Sequence, residues 1–524
     1  MSNIKLLDCT LRDGGYCNDW RFGQSNIVKI IDGLIQANVD IIECGYITNK
    51  ADVGSDSTQF SSFFRINNIL PKQKNKCFVA MINYGEYNIS DIPSNDDTSL
   101  DGIRVAFHKN EWREALSYCR QVKEKGYKVF IQGMLSLSYS DAEFLRLLNE
   151  VNVVEPYAFY IVDSFGMMTG KDLRRLFYMI EHNLNPDICI GFHSHNNMQL
   201  SYSNCLSLAE IHTNRKIIID SSIYGMGRGA GNLNTEIFVQ YLNDNQQGNY
   251  KLKPLLNVID EVIDGFYKVS FWGYNLPNYI SAKNNAHPNY AVFLDDKKTL
   301  TIEDMENIFQ KMDEERKFRF DKDYIEALYI NYLDTGRVQE QNRHELEKSL
   351  FGNKVVLVAP GKSIENERER IRALSGDSVI MSVNFLYPDS KFIFLSNLRR
   401  YRELDKSIYS KCIVTSNIPN EEVYMQTNYR ELLNDVDFVK DNAGLMAIKF
   451  LMGLGVSEIA LAGFDGYSHD TENNYVNKHL EVVSKNDVLD AMNEGMSKVL
   501  SKYSDSVKIT FITEPRYVHI KDKK

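Results

Sequence analysis

Two stretches far apart in the chain carry side chains able to share one metal ion. The first is Leu7-Asp8-Cys9-Thr10-Leu11-Arg12-Asp13-Gly14-Gly15-Tyr16, in which an apolar strand starting at Ile4 runs into an Arg-Asp-Gly-Gly turn. The second is Gly191-Phe192-His193-Ser194-His195-Asn196-Asn197, a strand with histidines at i and i+2. Side chains two apart on a strand point to the same face, so both imidazoles reach one point. Asp13 can add an oxygen there. Two histidines and a carboxylate on one side of a cation leave positions open for substrate and water. A single strand histidine is more often a satisfied core group; the pair together with Asp13 is what points to a metal.

Something must bring these stretches together. Strand-like runs end at Asp8, at Glu43, near Ile82, near Phe107, at Gln132, at Asp163, at His195 and at Ser221. Between them lie amphipathic segments such as Ile27, Ile30, Ile31, Leu34 and Ile35, or Leu173, Leu176, Phe177 and Ile180, with helical spacing. Eight strand–helix repeats of about 30 residues predict a (β/α)8 TIM barrel over residues 1–265. A doubly wound open sheet is the alternative, but the GxGxxG turn after the first strand is absent. Arg12, Asp13, Glu43, His108, Gln132, Asp163, His193, His195 and Asn232 all fall at or just past strand C-terminal ends. In a barrel those ends converge on the face that carries the active site. The eighth strand leads into Tyr224-Gly225-Met226-Gly227-Arg228-Gly229-Ala230-Gly231-Asn232, a loop whose glycines let backbone approach a ligand closely.

The 524 residues predict two or three domains, and a net charge of -10 disfavours a nucleic-acid partner. None of the eight cysteines forms a CxxC pair, so they read as buried thiols of a reducing compartment. Without a signal-peptide core or an apolar run of about 20 residues, a cytoplasmic protein is expected. Residues 266–350 read as a helical extension and linker, with helices over Leu300 to Asp313 and Lys322 to Leu333. Residues 351–524 read as a Rossmann-like open-sheet α/β domain, with a buried strand and a turn over 354–363 and further strands at 378–383, 392–395, 411–415, 458–462 and 508–512. Gly361-Lys362-Ser363 has the end of a P-loop signature, but Val356 stands where the upstream glycine is required.

Asp-Cys-Thr-Leu-Arg-Asp-Gly at 8–14, His-Ser-His-Asn-Asn at 193–197 and Gly-Arg-Gly-Ala-Gly-Asn at 227–232 resemble the three signatures of the metal-dependent aldolase/lyase barrels. That superfamily includes 4-hydroxy-2-oxovalerate aldolase, hydroxymethylglutaryl-CoA lyase, isopropylmalate synthase and the pyruvate carboxyltransferases; the aldolase branch fits best. The resemblance implies Asp13, His193 and His195 as metal ligands, with Asn232 an outer ligand or substrate contact. It implies Arg12 as the group that stabilises an enolate. Glu43, Gln132 and Asp163, read from their places at strand ends, would either contact substrate or make hydrogen bonds inside the barrel. The ion would be Mn²⁺ or Mg²⁺, with Zn²⁺ or Co²⁺ as alternatives. The expected reaction joins or splits a pyruvate-type enolate and an aldehyde. The extension would cover the barrel mouth and support a homodimer or higher homo-oligomer, and the partners would be small molecules.

One position departs from the family pattern. The aldolases carry a catalytic histidine three residues after the Arg-Asp pair's aspartate, where this chain has Tyr16. A phenol is a poorer general base at neutral pH, so Tyr16 would donate a hydrogen bond or position a water, and proton transfer would fall instead to His108, or to His287 and Tyr290 in Ala286-His287-Pro288-Asn289-Tyr290. Two other functions fit the same signatures: an acyl-CoA condensing synthase, and an inactive metal-binding barrel. The last domain resembles the bacterial CMP-sialyltransferase-like nucleotide-binding domains through Ala-Pro-Gly-Lys-Ser at 359–363, Ser-Val-Asn-Phe at 382–385, Asn-Ala-Gly at 442–444 and Ala-Gly-Phe-Asp-Gly at 462–466. That implies a nucleotide held by Gly361, Ser363 and Asn384, and a loose counterpart of the catalytic histidine at His479. The fusion as a whole would suit sugar-acid or surface-polysaccharide biosynthesis.

Overall fold

A computed structural model describes residues 3–50, 54–71, 76–334, 338, 340–374, 376, 378–419, 422–477 and 486–517. His479 lies outside them. The chain divides into two compact units, Met1–Pro288 and Asn289–Lys524. No described helix is long and apolar enough to cross a membrane.

The first unit is a closed parallel barrel of eight strands: β1 (Ile4–Asp8), β2 (Ile41–Ile47), β3 (Cys77–Asn83), β4 (Gly102–Phe107), β5 (Lys128–Gly133), β6 (Ala158–Asp163), β7 (Cys189–Ser194) and β8 (Ile217–Ser221). Each strand pairs with its sequence neighbour, and β1 pairs with both β8 and β2 to close the ring. Strand alternation sorts the side chains. Leu6, Ile42, Ile103, Ile131, Ile161, Ile190 and Ile219 point outward into the core under the helices. Leu7, Ile41, Val79, Phe130, Tyr160 and Ile218 fill the barrel interior. The same alternation turns Glu43, Arg104, His193 and Asp220 inward.

Helix starts follow their caps. Ser140 with Glu143 and Thr169 with Asp172 form capping boxes that begin Asp141–Val154 and Gly170–Asn183. These fix the helices that return the chain to the next strand.

β2 is longer than the sequence indicates. It continues four residues past Glu43, to Ile47, with a register shift against β3 and a short added pairing to Gln59–Phe60. Gly45 permits this: its φ is +142°, and a Cβ there would lie 2.1 Å from the Thr58 carbonyl oxygen. Glu43 therefore sits within the strand, inside the barrel.

The second unit begins with helices that include Ile302–Gln310, started by a Thr301/Asp304 capping box, and Lys322–Leu333. Its sheet has seven parallel strands: β9 (Lys354–Val358), β10 (Val379–Val383), β11 (Phe392–Leu395), β12 (Cys412–Thr415), β13 (Met425–Thr427), β14 (Glu458–Ala462) and β15 (Lys508–Phe511). β13 is an edge strand of three residues, too short to give a hydrophobic pattern. The spatial order is β13-β12-β11-β10-β9-β14-β15, so the direction of winding reverses between β9 and β14. In open parallel sheets the crevice beyond such a reversal is where ligands bind.

Candidate active site

β1 delivers its functional groups through a tightly tied turn. The Thr10 N–H donates to Asp8 Oδ1 at 2.9 Å, the Thr235 hydroxyl donates to Asp8 Oδ2 at 2.7 Å, and the Cys9 N–H donates to the Ser221 carbonyl at 2.8 Å. Burial pushes Asp8 up to about 6. The helical turn Thr10–Asp13 then presents Arg12 and Asp13 side by side. Both are buried, and the Arg12 guanidinium donates to Asp13 Oδ1.

Asp13, His193 and His195 converge: one ligand atom from each lies within 4.8 Å of the others. The two imidazoles stand nearly perpendicular, with centroids 5.1 Å apart. His195 Nδ1 is 3.8 Å from Asp13 Oδ2. His193 Nδ1 is 3.0 Å from Asp220 Oδ2, which leaves Nε2 as its ligand atom. Burial alone would raise Asp13, but the Arg12 guanidinium and the two histidines hold it well below the usual carboxylate range. Burial pushes His195 down to about 3, against the pull of Asp13, so the ring is neutral and its lone pair available. The Asn232 side chain donates to Asp13 Oδ2 at 2.8 Å, and its backbone bridges to His195. Gly227 makes room for this: a Cβ there would lie 2.4 Å from Asn232 Nδ2 and 2.6 Å from Asp13 Oδ2.

The donor set fits a divalent cation. His195 Nδ1 and Asn232 Oδ1 are buried with no hydrogen-bond partner among the described residues, as are Arg12 Nη2, Glu43 Oε1 and Gln132 Nε2. Buried polar atoms are rarely left unpaired, so this concentration marks a place built for something else to bind. Formal charge agrees. The three buried carboxylates, of Asp13, Glu43 and Asp220, outnumber the two buried guanidiniums that pair with them, of Arg12 and Arg104.

The remaining expected site residues divide. Glu43 Oε2 accepts from Arg12 Nε at 2.9 Å and from Arg104 Nη1 at 2.7 Å, so it holds the guanidinium of Arg12. Gln132 is buried on β5. Asp163 accepts from the N–H groups of Met167 and Met168, both at 3.0 Å, and burial pushes it up to about 7. Tyr16 is 38% exposed, its hydroxyl 3.4 Å from that of Tyr46 and its ring 5.5 Å from the Arg228 guanidinium. His108 is half-buried at the end of β4. His287 stands edge-on to Phe165, with centroids 6.0 Å apart, and burial pushes it down to about 3, helped by Arg228 and His108. Tyr290 belongs to the second unit, where its hydroxyl lies 2.8 and 2.7 Å from the carbonyl oxygens of Arg316 and Arg319. Arg104 and Asp220 went unnoticed in the sequence, and Arg228 figured there only as part of the Gly-rich loop. The first two stand singly within apolar strands, and a lone inward charge on a barrel strand is the signal that marks them.

The second unit has a cavity of about 370 Å³ at the C-terminal ends of β9, β10, β11 and β14. Gly361 and Asn384 line it, with Ser396, Asp465, Lys298 and Arg400. Asn384 adopts φ +58°, and its Oδ1 accepts from the Ser396 N–H at 3.2 Å. Ser363 does not line the cavity; its hydroxyl and N–H both donate to Asp465.

The HMGL-like family model matches residues 3–262. Among curated relatives, the 4-hydroxy-2-oxovalerate aldolase of Pseudoalteromonas translucida (strain TAC 125) is 27% identical over 248 residues, covering 46% of this chain and 70% of the relative. That of Pseudomonas putida is 28% identical over 246 residues, covering 45% and 68%. Among solved structures, the N-terminal domain of a provisionally named aldolase from Bacteroides vulgatus is 26% identical, with a TM-score of 0.47, covering 56% of this chain and 96% of that one. The matched span begins with β1 and ends past the Gly-rich loop, and it contains every residue of the Asp13–His193–His195 cluster. Residues 3–262, which the HMGL-like family model matches, form the TIM barrel.

Proposed function

We propose that the barrel unit is a divalent-metal-dependent 2-oxo acid aldolase, joining or splitting a pyruvate-type enolate and an aldehyde. The observation that carries this is the convergence of Asp13, His193 and His195 beside an Arg12 nitrogen that has no partner. A divalent cation held by these three residues, with Asn232 as an outer contact, supplies Lewis-acid polarisation of a keto oxygen. Arg12 does the rest of the charge work. Its Nε is anchored to Glu43 and its Nη1 to Asp13, leaving Nη2 to donate to an oxygen that gains negative charge. Because both anchors are buried, the guanidinium is held in place before substrate arrives.

Tyr16, His108 and His287 are the proton-transfer candidates. His287, pushed down to about 3 by burial, is unprotonated but a weak base, so it suits a hydrogen-bond contact better than a general base; Tyr16, with its hydroxyl against Tyr46, suits a hydrogen-bond donor. Gln132 contributes an unpaired amide donor to the same interior. In the second unit, the cavity at the winding reversal supports binding of a nucleotide, with Gly361 and Asn384 in contact and Ser363 fixing the turn through Asp465.

The test is an assay of pyruvate release or consumption with a panel of sugar and simple aldehydes, with and without Mn²⁺ or Mg²⁺. Metal-dependent turnover of at least one aldehyde is the expected result. No turnover with any aldehyde, in protein shown to hold the metal, removes the aldolase reading. Thiol release from an acyl-CoA would identify a condensing synthase instead.

A further inference from the structure

We propose that Arg104, acting through Asp220, is a positioning residue for the metal centre, fixing the tautomer and aim of His193. This rests on the metal-dependent reading above and adds what sets the ligand geometry. Arg104 lies on β4 and is 0% exposed. Its guanidinium donates from Nη1 to Glu43 Oε2 at 2.7 Å and from Nη2 to Asp220 Oδ2, with the Tyr160 ring centroid 4.9 Å away. Asp220 Oδ2 in turn lies 3.0 Å from His193 Nδ1, and Glu43 Oε2 accepts from Arg12 Nε at 2.9 Å.

One guanidinium thus stands between the two carboxylates that hold the enolate-stabilising arginine and a metal-ligating histidine. A carboxylate that accepts the Nδ1–H of a histidine commits the ring to one tautomer and leaves the Nε2 lone pair for a metal. Asp220 is placed to do this, and Arg104 fixes the carboxylate itself. Stability alone does not account for the arrangement. Buried ion pairs are often no more stabilising than apolar side chains of the same volume, and the neighbouring interior positions Val79, Phe130 and Ile218 are apolar. A charged chain that crosses an otherwise apolar barrel and touches two site residues is explained by orientation.

The experiment uses the full chain, stripped of metal, with Mn²⁺ as the probe. Calorimetry gives the Kd, and ¹⁵N spectra of labelled histidine give the tautomer. Asp220→Ala and Arg104→Met should raise the Mn²⁺ Kd by roughly 10–100-fold, the usual cost of losing such a support. His193 should lose its single Nδ1–H form in both. Asp220→Asn keeps an oxygen that can accept from Nδ1–H and should recover most of the affinity and the tautomer, which a purely charge-balancing role would not allow; a purely packing role would leave the histidine tautomer unchanged in Asp220→Ala. Folded Asp220→Ala with wild-type Kd and an unchanged histidine spectrum overturns the proposal, as does Asp220→Asn behaving like Asp220→Ala. Should Arg104→Met not fold, the two Asp220 variants decide alone. A wild-type chain that binds no Mn²⁺ would sink the metal reading, while the histidine spectrum would still report on Asp220.

Discussion

The two units both gather polar groups at the C-terminal ends of parallel strands, and they use them in opposite ways. In the barrel, Arg12, Glu43, His195 and Asn232, which hold or adjoin Asp13, each keep a buried atom without a hydrogen-bond partner among the described residues. In the second unit, Ser363 is paired with Asp465, Asn384 with Ser396, and Lys297 lies 3.7 and 3.8 Å from Glu326 and Asp441. Among described residues lining that cavity, the Tyr517 hydroxyl is the buried side-chain polar atom without a partner. Unmet valences among buried carboxylate and imidazole groups suit a small hard ion. Satisfied groups around about 370 Å³ suit an organic molecule recognised by shape. Under the function proposed above, the first site serves chemistry and the second recognition.

Removing a metal ligand should break this contrast most forcefully. His195→Ala or Asp13→Asn should abolish stoichiometric Mn²⁺ binding and lower kcat/KM by about 10³-fold or more, since Lewis-acid catalysis contributes several kcal/mol. Ligand binding in the second unit, followed by its own titration, should not change. Arg12→Met should act next most strongly, lowering kcat by roughly 10²–10³-fold, as removal of one oxyanion donor does. The steady-state KM for the 2-oxo acid should move far less, because Nη2 is needed only as charge develops.

A third contrast concerns pH. Asp163, held at about 7 by burial, favours the folded state when protonated. That stability is fully present below about pH 4 and is lost as the pH rises through about 7, a swing of up to about 4 kcal/mol at 1.36 kcal/mol per pKa unit. Asp8, at about 6, acts in the same direction. His195 and His287, both depressed to about 3, oppose it, since the unfolded chain protonates them first. The difference between variants isolates the term: the stability of Asp163→Asn relative to wild type should climb between pH 4 and 7 in denaturant titrations. A flat difference would mean that the backbone donors of Met167 and Met168 already hold Asp163 ionised.

Much of the barrel was legible because its signal is local. Each strand is a short apolar run, and each helix has its own stripe and cap, so eight repeats could be counted without knowing how they meet. The metal cluster was legible for a similar reason: His193 and His195 share a face by strand period alone, and Asp13 follows β1 directly. The charged chain from Arg12 to His193 was not, because Arg104 and Asp220 gain meaning only when β4 and β8 face each other across the interior. The length of β2 was missed because Cys44-Gly45-Tyr46 reads as a break, whereas Gly45 continues the strand under the Thr58 carbonyl. β13 has three residues and no pattern to read.

Matched glycine substitutions give the finest comparison, because the obstruction differs in kind. At Gly227 an added Cβ meets side-chain atoms of Asn232 and Asp13; at Gly361 it meets the Gly463 carbonyl oxygen at 2.3 Å and Asp465. Side chains that hold a ligand can move aside at the expense of the ligand, whereas a backbone carbonyl cannot move without its strand. Gly227→Ala should therefore weaken Mn²⁺ binding by about tenfold, the lower end for disturbing a metal's surroundings, while leaving the melting of the barrel nearly unchanged. Gly361→Ala should do the reverse, costing the second unit roughly 1–3 kcal/mol as overpacking does, with Mn²⁺ affinity unaltered. Were both variants to lose stability equally and leave Mn²⁺ binding intact, the loop at Gly227 would be no more than a tight turn, and Asn232 would drop out of the metal site.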